Sequence, residues 1–570
     1  MRFFPLLLIT IVIISCSRST EETSAKAYAD TVITGGSIYT LDERNPRAEA
    51  LAIKDNNIIF VGSNDRVQDY VSENTVLYDV TDSFTLPGFI DSHSHFSMGA
   101  AFTFIKELPL ILDFSDSTEE VATKIKRYAE EHPKIPIIIG LGSINYRRDV
   151  TPMEALDELV PDRPAFIIGM GYHNTWFNSK MAELVGIDAD TEDPIAGARY
   201  FTRDEDGNPT GLAIDLTEPF FMKALPKMFR PSLKIGPLPN ELTLPPRVGI
   251  TSVFDAATRK QKFIDDVLTW RLRNIARKGR LPFRMVGTVA VNDAEGAKTA
   301  VKKLKKVAKN NNTDRFSIRA LKIFVDGVGV GGELVVPRDV LTKLVTEVDA
   351  AGFDVHFHAE SENAVNAAID AVETAIQTNG QRDRQPTVSH VVVITNDDIK
   401  RAKDLGILIS STGNWTSKYV VDYYVGTLGK EFVYEGDGVY RFKSIIDGGV
   451  TFTYGSDFPV GGTFWASPLA NIQVGMTRVF FVNPDAEPGP KAEQRLSLEE
   501  SLRAYTINGA KQLNLEDQIG SIEVGKRADI VMLEKDLFDL DVEEIAETKV
   551  LLTIADGIIT HDQVTPSNNQ

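Results

Sequence analysis

A chain of 570 residues is long enough for one large core plus a smaller second domain. With 43% hydrophobic and 25% charged residues it has the balance of an ordinary globular protein, which excludes a disordered or fibrous chain. A formal net charge of −19, spread along the sequence, argues against nucleic acid as a partner and says little about a small substrate.

The first element is a targeting segment. Arg2 supplies a positive n-region, and Phe3 to Ile14 form an apolar h-region too short to span a bilayer as a mature helix. It ends Ile13-Ile14-Ser15-Cys16, and Cys16 is the single cysteine of the protein, so no internal disulfide can form. The segment resembles the leader of a bacterial lipoprotein. That resemblance implies a signal peptide over 1–15, lipidation of Cys16 and a polar tether over 16–29. The protein would then be exported and held on a bacterial membrane, on the periplasmic side, only through its lipid anchor. An uncleaved anchor or plain secretion is the competing reading.

From Asp30 to Val80 come short alternating strands with turn signals, such as Ile33-Thr-Gly-Gly-Ser-Ile-Tyr39. The same style returns at 520–533 and 550–561, where Asp556-Gly557 reads as a hairpin turn. The two ends, 30–85 and 516–565, are expected to pair into one small β-sandwich. The intervening residues 86–515 would then form a single inserted domain.

That middle alternates strands and helices. Apolar runs near Phe89 and at 251–254, 283–289, 318–325, 353–358, 387–393, 407–411 and 451–454 make eight strands. Helical patterns separate the later ones, at 339–349, 362–378 and 396–404. Eight strands alternating with helices predict an α/β fold, a (β/α)8 TIM-like barrel whose site lies at the C-terminal strand ends. The gap from about 97 to 248 is too long for one crossover and predicts an inserted subdomain after the first strand. It includes a capping-box helix start, Ser117-Thr-Glu-Glu120.

The chemistry follows strand by strand. The first strand ends in Leu86-Pro-Gly-Phe-Ile-Asp-Ser-His-Ser-His95. Residues i and i+2 share a strand face, so His93 and His95 project together, as ligands of one cation would. The fourth strand places Lys322 in an apolar run. A buried lysine either loses its charge, and its neutral amine can then take up CO2 as a bridging carbamate, or pairs with a carboxylate such as Asp326. The fifth strand ends in His356-Phe-His358, the sixth holds His390, and the eighth leads into Asp457. A carboxylate there can bind a metal and also take a proton from activated water. Only eight histidines occur in the chain, so four or five at strand ends is a strong signal. His356 reads as buried behind His358, and His132 and His561 as histidines without chemistry.

This ordered set resembles the amidohydrolase superfamily, and in particular amidohydrolase family 3, which includes N-substituted formamide deformylases. The resemblance covers about 30–561 and is carried by Pro87-Gly-Phe-Ile-Asp-Ser-His-Ser-His95, Lys322-Ile-Phe-Val-Asp-Gly327 and His358-Ala-Glu-Ser-Glu-Asn-Ala-Val365. Gly455-Ser-Asp-Phe-Pro459, Ala504-Tyr-Thr-Ile-Asn-Gly-Ala510 and Gly520-Ser-Ile-Glu-Val-Gly-Lys-Arg-Ala-Asp-Ile-Val531 add to it. It implies that His93, His95, Lys322, His358, His390 and Asp457 hold one or two divalent metal ions. Zinc is favoured, with Mn or Fe as alternatives. It also places His173, in Gly171-Tyr-His-Asn-Thr-Trp-Phe-Asn178, in the substrate pocket as a second catalytic candidate beside Asp457. Two stretches depart from the family pattern, Glu360-Ser361 after the fifth strand and Ser410-Ser-Thr-Gly-Asn-Trp415 after the seventh.

The resulting expectation is a metal-dependent hydrolase of C–N bonds acting on a small-molecule amide, N-acyl or N-formyl. His173, Trp176 and Trp415 are the substrate-binding candidates, and carbamylated Lys322 an optional metal bridge. Tyr172, Phe177 and Tyr419 add to the aromatic content of the same segments, which core packing would explain equally well. A deaminase or cyclic-amide hydrolase on the same site is one alternative. A non-catalytic surface lipoprotein retaining the fold is another. A homo-oligomer is left open.

Overall fold

The computed structural model describes residues 28–103, 110–113, 116–169, 173–195, 199–215, 220–221, 240–259, 262–327, 330–483 and 485–564. The expected signal peptide, Cys16, all of the tether but Tyr28 and Ala29, and Tyr172 lie outside the described residues. Ala29 is already buried and donates its N–H to Tyr70 O at 2.8 Å, so the folded body starts inside the expected tether. No helix among the described residues is long and apolar enough to cross a membrane.

The two chain ends form two sheets. One is four-stranded, in the order Asn57–Gly62, Ala50–Lys54, Thr31–Thr34, Val76–Asp79. The other is six-stranded, in the order Ile558–Asp562, Val550–Ala555, Ile530–Leu533, Phe84–Pro87, Ser37–Tyr39, Arg47–Ala48. The second sheet interleaves both ends of the chain, with Phe84–Pro87 antiparallel to Ile530–Leu533. Alternating residues turn inward from each sheet, and Ile33, Leu51 and Ile53 share a core with Ile530, Met532 and Leu552. Asp556 and Gly557 have φ of 57° and 71°, the left-handed pair that a two-residue hairpin turn requires.

Strand Phe84–Pro87 carries this unit past the expected boundary at 85, and Gly88 is the joint to the barrel. A Cβ at Gly88 would lie 2.3 Å from Cγ2 of Thr251, so only glycine lets the two units approach here.

The barrel has its eight parallel strands where the alternation placed them. In order they are Phe89–Ser94, Ile250–Arg259, Arg284–Val291, Phe316–Phe324, Asp354–Ala359, Thr387–His390, Leu408–Ser411 and Phe452–Tyr454. Helices Ala294–Asn310, Arg338–Ala350, Glu362–Asn379 and Asn396–Asp404 cover the later crossovers. The first and eighth strands close the ring beyond their ladders. Asp457 N–H donates to His93 O at 2.8 Å, and His95 N–H to Phe458 O at 2.6 Å. Ser456 donates from N–H (2.9 Å) and Oγ (2.6 Å) to the two oxygens of Asp91.

The insertion after the first strand builds its own six-stranded sheet, in the order Tyr200–Arg203, Pro209–Ile214, Asn174–Phe177, Ala165–Gly169, Ile138–Gly142, Leu110–Leu112. Ser117 and Glu120 form the expected capping box at the start of helix Thr118–Glu131. His132 ends that helix, with Nδ1 on Tyr128 O at 2.9 Å, and His561 lies in an outer strand of the terminal unit.

Arg284, at the start of the third strand, ties barrel to terminal unit. Its buried guanidinium donates to Asp529 at 2.6 Å and to Asp556 at 3.2 Å. Arg284→Ala leaves the buried Asp529 carboxylate without its counter-ion, while Asp556 keeps Arg527 and Arg315, and is expected to cost about 3–5 kcal/mol. The midpoint of chemical denaturation reads this directly. A loss below about 1 kcal/mol, the worth of a surface pair, would show that the join is held elsewhere.

Candidate metal and catalytic centre

Each candidate side chain sits at a C-terminal strand end because the ladders put it there. His93, on the first strand, and His95, just past its end, turn their Nε2 atoms to one carboxylate. Asp457, in the turn after the eighth strand, is drawn between them, with Oδ1 3.3 Å from His93 Nε2 and 3.2 Å from His95 Nε2. His358 ends the fifth strand and His390 the sixth, their ring centroids 4.4 Å apart, and His390 is 4.7 Å from His93. His93, His390 and Asp457 each offer one ligand atom within 4.8 Å of the others. His390 and Asp457 hold φ of 79° and 56°, conformations that cost a non-glycine residue energy and cluster at functional sites.

Burial is the first cause of the low basicity of His93, His358 and His390, all well below the ordinary histidine range. The nearby Lys322 ammonium adds to it. Their rings are neutral and therefore competent as ligands. On the candidate ligands four buried polar atoms make no hydrogen bond: His93 Nε2, His95 Nδ1, His358 Nε2 and Asp457 Oδ1. Leaving such an atom unsatisfied costs about 1–3 kcal/mol. His93 Nε2 and Asp457 Oδ1, bare and 3.3 Å apart, form with His390 a donor set of imidazole nitrogen and carboxylate oxygen that fits a divalent cation.

Lys322 is fully buried on the fourth strand and donates from Nζ to Ser389 Oγ at 3.2 Å. It stands beside the same centre: its register partner on the fifth strand is His356, and Ser389 directly precedes His390. His356 lies one layer deeper, as its spacing suggested. Its Nε2 is hydrogen-bonded to His93 Nδ1 at 2.8 Å, which fixes the His93 ring with Nε2 toward the cation position. At the other end of the barrel a cleft of about 280 Å³ reaches His356.

Three carboxylates complete the surroundings. Burial pushes Asp91 and Asp326 up to about 7, against the hydrogen bonds each accepts. Asp326 accepts from Glu360 N–H, Ser361 N–H and Ser361 Oγ, and lies 3.8 Å from His358 Nε2. Glu360 Oε1 lies 3.9 Å from the same nitrogen. The departure Glu360-Ser361 is thus built into the centre, and Ser361 also caps helix Glu362–Asn379.

The insertion delivers His173 to the barrel mouth, its ring centroid 6.0 Å from that of His358. Its Nδ1 is 2.5 Å from Asp215 Oδ1, a partner that no local spacing announced. Trp415 arrives as well, only 8% exposed and stacked on the His390 ring with centroids 5.0 Å apart. It therefore orients a candidate ligand. Trp176 is a correction. It is fully buried in the core of the insertion, with its indole N–H donating to Pro152 O at 2.5 Å, so it is a packing residue that offers a substrate no surface. Phe177, on the opposite face of the same strand, is equally buried.

Residues 77–561 match the model of the amidohydrolase family. An N-substituted formamide deformylase of Arthrobacter pascens is 26% identical over 572 residues, covering 94% of this chain and 98% of its own. Protein LONG AFTER FAR-RED 3 of Arabidopsis thaliana is 25% identical, over 93% of this chain and 91% of that one. Among solved structures, an uncharacterized metal-dependent hydrolase from Pyrococcus horikoshii OT3 shares the fold with a TM-score of 0.64. Its identity is 21%, over 90% of this chain and 99% of that one.

Proposed function

The chain belongs to the amidohydrolase family and is a metal-dependent hydrolase, and from that premise we propose that it cleaves the C–N bond of small N-acyl or N-formyl amides. The observation that carries this reading is the bare pair His93 Nε2 and Asp457 Oδ1 at the mouth of the barrel, with His390 offering a third ligand atom within 4.8 Å. Zinc is the proposed metal, as mixed imidazole and carboxylate ligands suit it. When bound, the cation polarises the substrate carbonyl and makes water acidic enough to attack at neutral pH.

The chain's own groups do the rest. Asp457 takes the proton from the attacking water and returns it to the leaving nitrogen. His356 and Trp415 keep the His93 and His390 rings in their orientations. His173 donates to the carbonyl oxygen as negative charge develops there. The Lys322 amine, once neutral, would add CO2 and lose a proton, and the resulting carbamate would supply further oxygen donors beside the centre. An apolar N-substituent is proposed, with the exposed ring of Tyr423 as an aromatic surface for it. The resemblance to a formamide deformylase points the same way.

The test is turnover by metal-replete enzyme of N-substituted formamides and N-acetyl amines, set against cyclic imides and aminated heterocycles. Release of formate or acetate is the expected result. Turnover of the cyclic imides or aminated rings alone would replace this reading with the cyclic-amide or deaminase one. A metal-loaded protein inert to every compound would favour a surface protein that kept only the fold.

The exported, lipid-anchored location is part of the same proposal and rests on the leader ending in Cys16. Cys16→Ser is expected to move the protein to the soluble fraction or leave the leader uncleaved. Fractionation and processing like those of the wild type would refute it.

A further inference from the structure

We propose that Asp215 is a positioning residue for catalysis: it locks the His173 imidazole with Nδ1 protonated and leaves Nε2 as the nitrogen offered to the substrate carbonyl. The inference rests on the amide-hydrolase reading above and deepens it by assigning the group that prepares the oxyanion donor.

The placement comes from strand register. Strands Asn174–Phe177 and Pro209–Ile214 are antiparallel neighbours, with Asn174 opposite Ile214. His173 and Asp215 are the next residues beyond that pair. The Asp215 N–H donates to His173 O at 2.6 Å, so the ladder continues through them. Residues facing each other across a ladder carry their side chains on the same face, which brings carboxylate and imidazole together. The resulting Nδ1 to Oδ1 distance is 2.5 Å. A carboxylate oxygen can only accept, so the proton lies on Nδ1. Both side chains are mostly sheltered from water, 27% and 13% exposed.

Two further observations separate this pair from an ordinary surface contact. The His173 ring is 6.0 Å from His358, whose Nε2 is one of the bare donor atoms of the metal centre. Asp215 also holds φ at 51°, a backbone state that aspartate adopts only occasionally and that here aims its carboxylate at the ring. With Nδ1 engaged, the imidazole has one nitrogen left, across the ring from Asp215. Doubly protonated, the ring donates from Nε2 to the developing oxyanion while Asp215 carries the balancing charge. Without Asp215 the ring is free to rotate and its doubly protonated form loses the balancing charge, and the donor is no longer prepared.

A double-mutant cycle on metal-replete protein tests this. Asp215→Ala is expected to lower kcat by ~10²-fold, the low end for loss of an oxyanion donor, with a smaller change in KM and full metal content. Asp215→Asn should recover part of the loss, because its amide oxygen still accepts from Nδ1. In a His173→Ala background, Asp215→Ala should cost nothing further. Losses that multiply, or a loss that follows falling metal content or melting temperature, would overturn the proposal. Wild-type activity in His173→Ala would overturn it too, while leaving the metal-hydrolase reading to stand on Asp457 and His93. A second readout needs no substrate. In protein labelled with 15N-histidine, the signal that disappears in His173→Ala should report a protonated Nδ1, and Asp215→Ala should change it. An unprotonated Nδ1 in the wild type would refute the assignment whatever the enzyme cleaves.

Discussion

Asp457→Asn should reduce kcat by at least ~10²-fold while most of the metal stays bound. Asparagine matches aspartate in shape and keeps one oxygen as a neutral ligand, and the backbone N–H that holds His93 O is untouched. What is lost is the ability to take a proton in the transition state. The side chain is well placed for that task, since Oδ1 lies 3.3 Å and 3.2 Å from the two histidines of the first strand and makes no hydrogen bond of its own. Steady-state kinetics together with elemental analysis of the same sample decide the matter. If metal is lost in proportion to activity, Asp457 acts as a ligand only and the base must be sought elsewhere. If kcat is unchanged, the mechanism is wrong.

His93→Ala should remove metal and activity together. His93 is the hub of the centre, with neighbouring rings His95, His356 and His390 at centroid distances of 5.3, 4.8 and 4.7 Å. Its loss takes away one ligand atom and leaves His356 Nε2 without its hydrogen-bond partner. Stability provides a second measure. A ligand that binds only the folded state at a hundredfold excess over its Kd stabilises by about 2.7 kcal/mol, so wild-type protein should melt higher loaded than chelated. His93→Ala should show no such difference at the same metal concentration. Full metal content in purified His93→Ala would refute the assignment of the centre.

The barrel strands were legible because each is a short apolar run closed by turn residues, and the candidate cluster because His-x-His and the later histidines occupy strand ends. Local pattern carries that much. The pairing of His173 with Asp215 was not legible, because it depends on which strand of the insertion lies beside which, and 42 positions separate the two residues. Trp176 misled for a related reason. An aromatic two or three residues from a candidate site residue has equal sequence grounds to face the pocket or the core, and only the sheet decides. The expected boundary at 85 split a strand because Phe84–Pro87 runs into Phe89–Ser94 with one glycine between them, too little to leave a compositional mark. Glu360-Ser361 looked like a departure and is a local solution: Ser361 both caps a helix and donates to Asp326.

The clamp between Asp91 and Ser456 joins residues 365 positions apart, and the centre forms at the same seam. Until the eighth strand docks on the first, the histidines of the earlier strands have neither Asp457 nor a closed ring to hold them. A chain interrupted anywhere before that strand is therefore catalytically silent, however much of it has folded. Contacts so distant in sequence form late. The seam between the first and eighth strands is thus where the fold completes the candidate cation site.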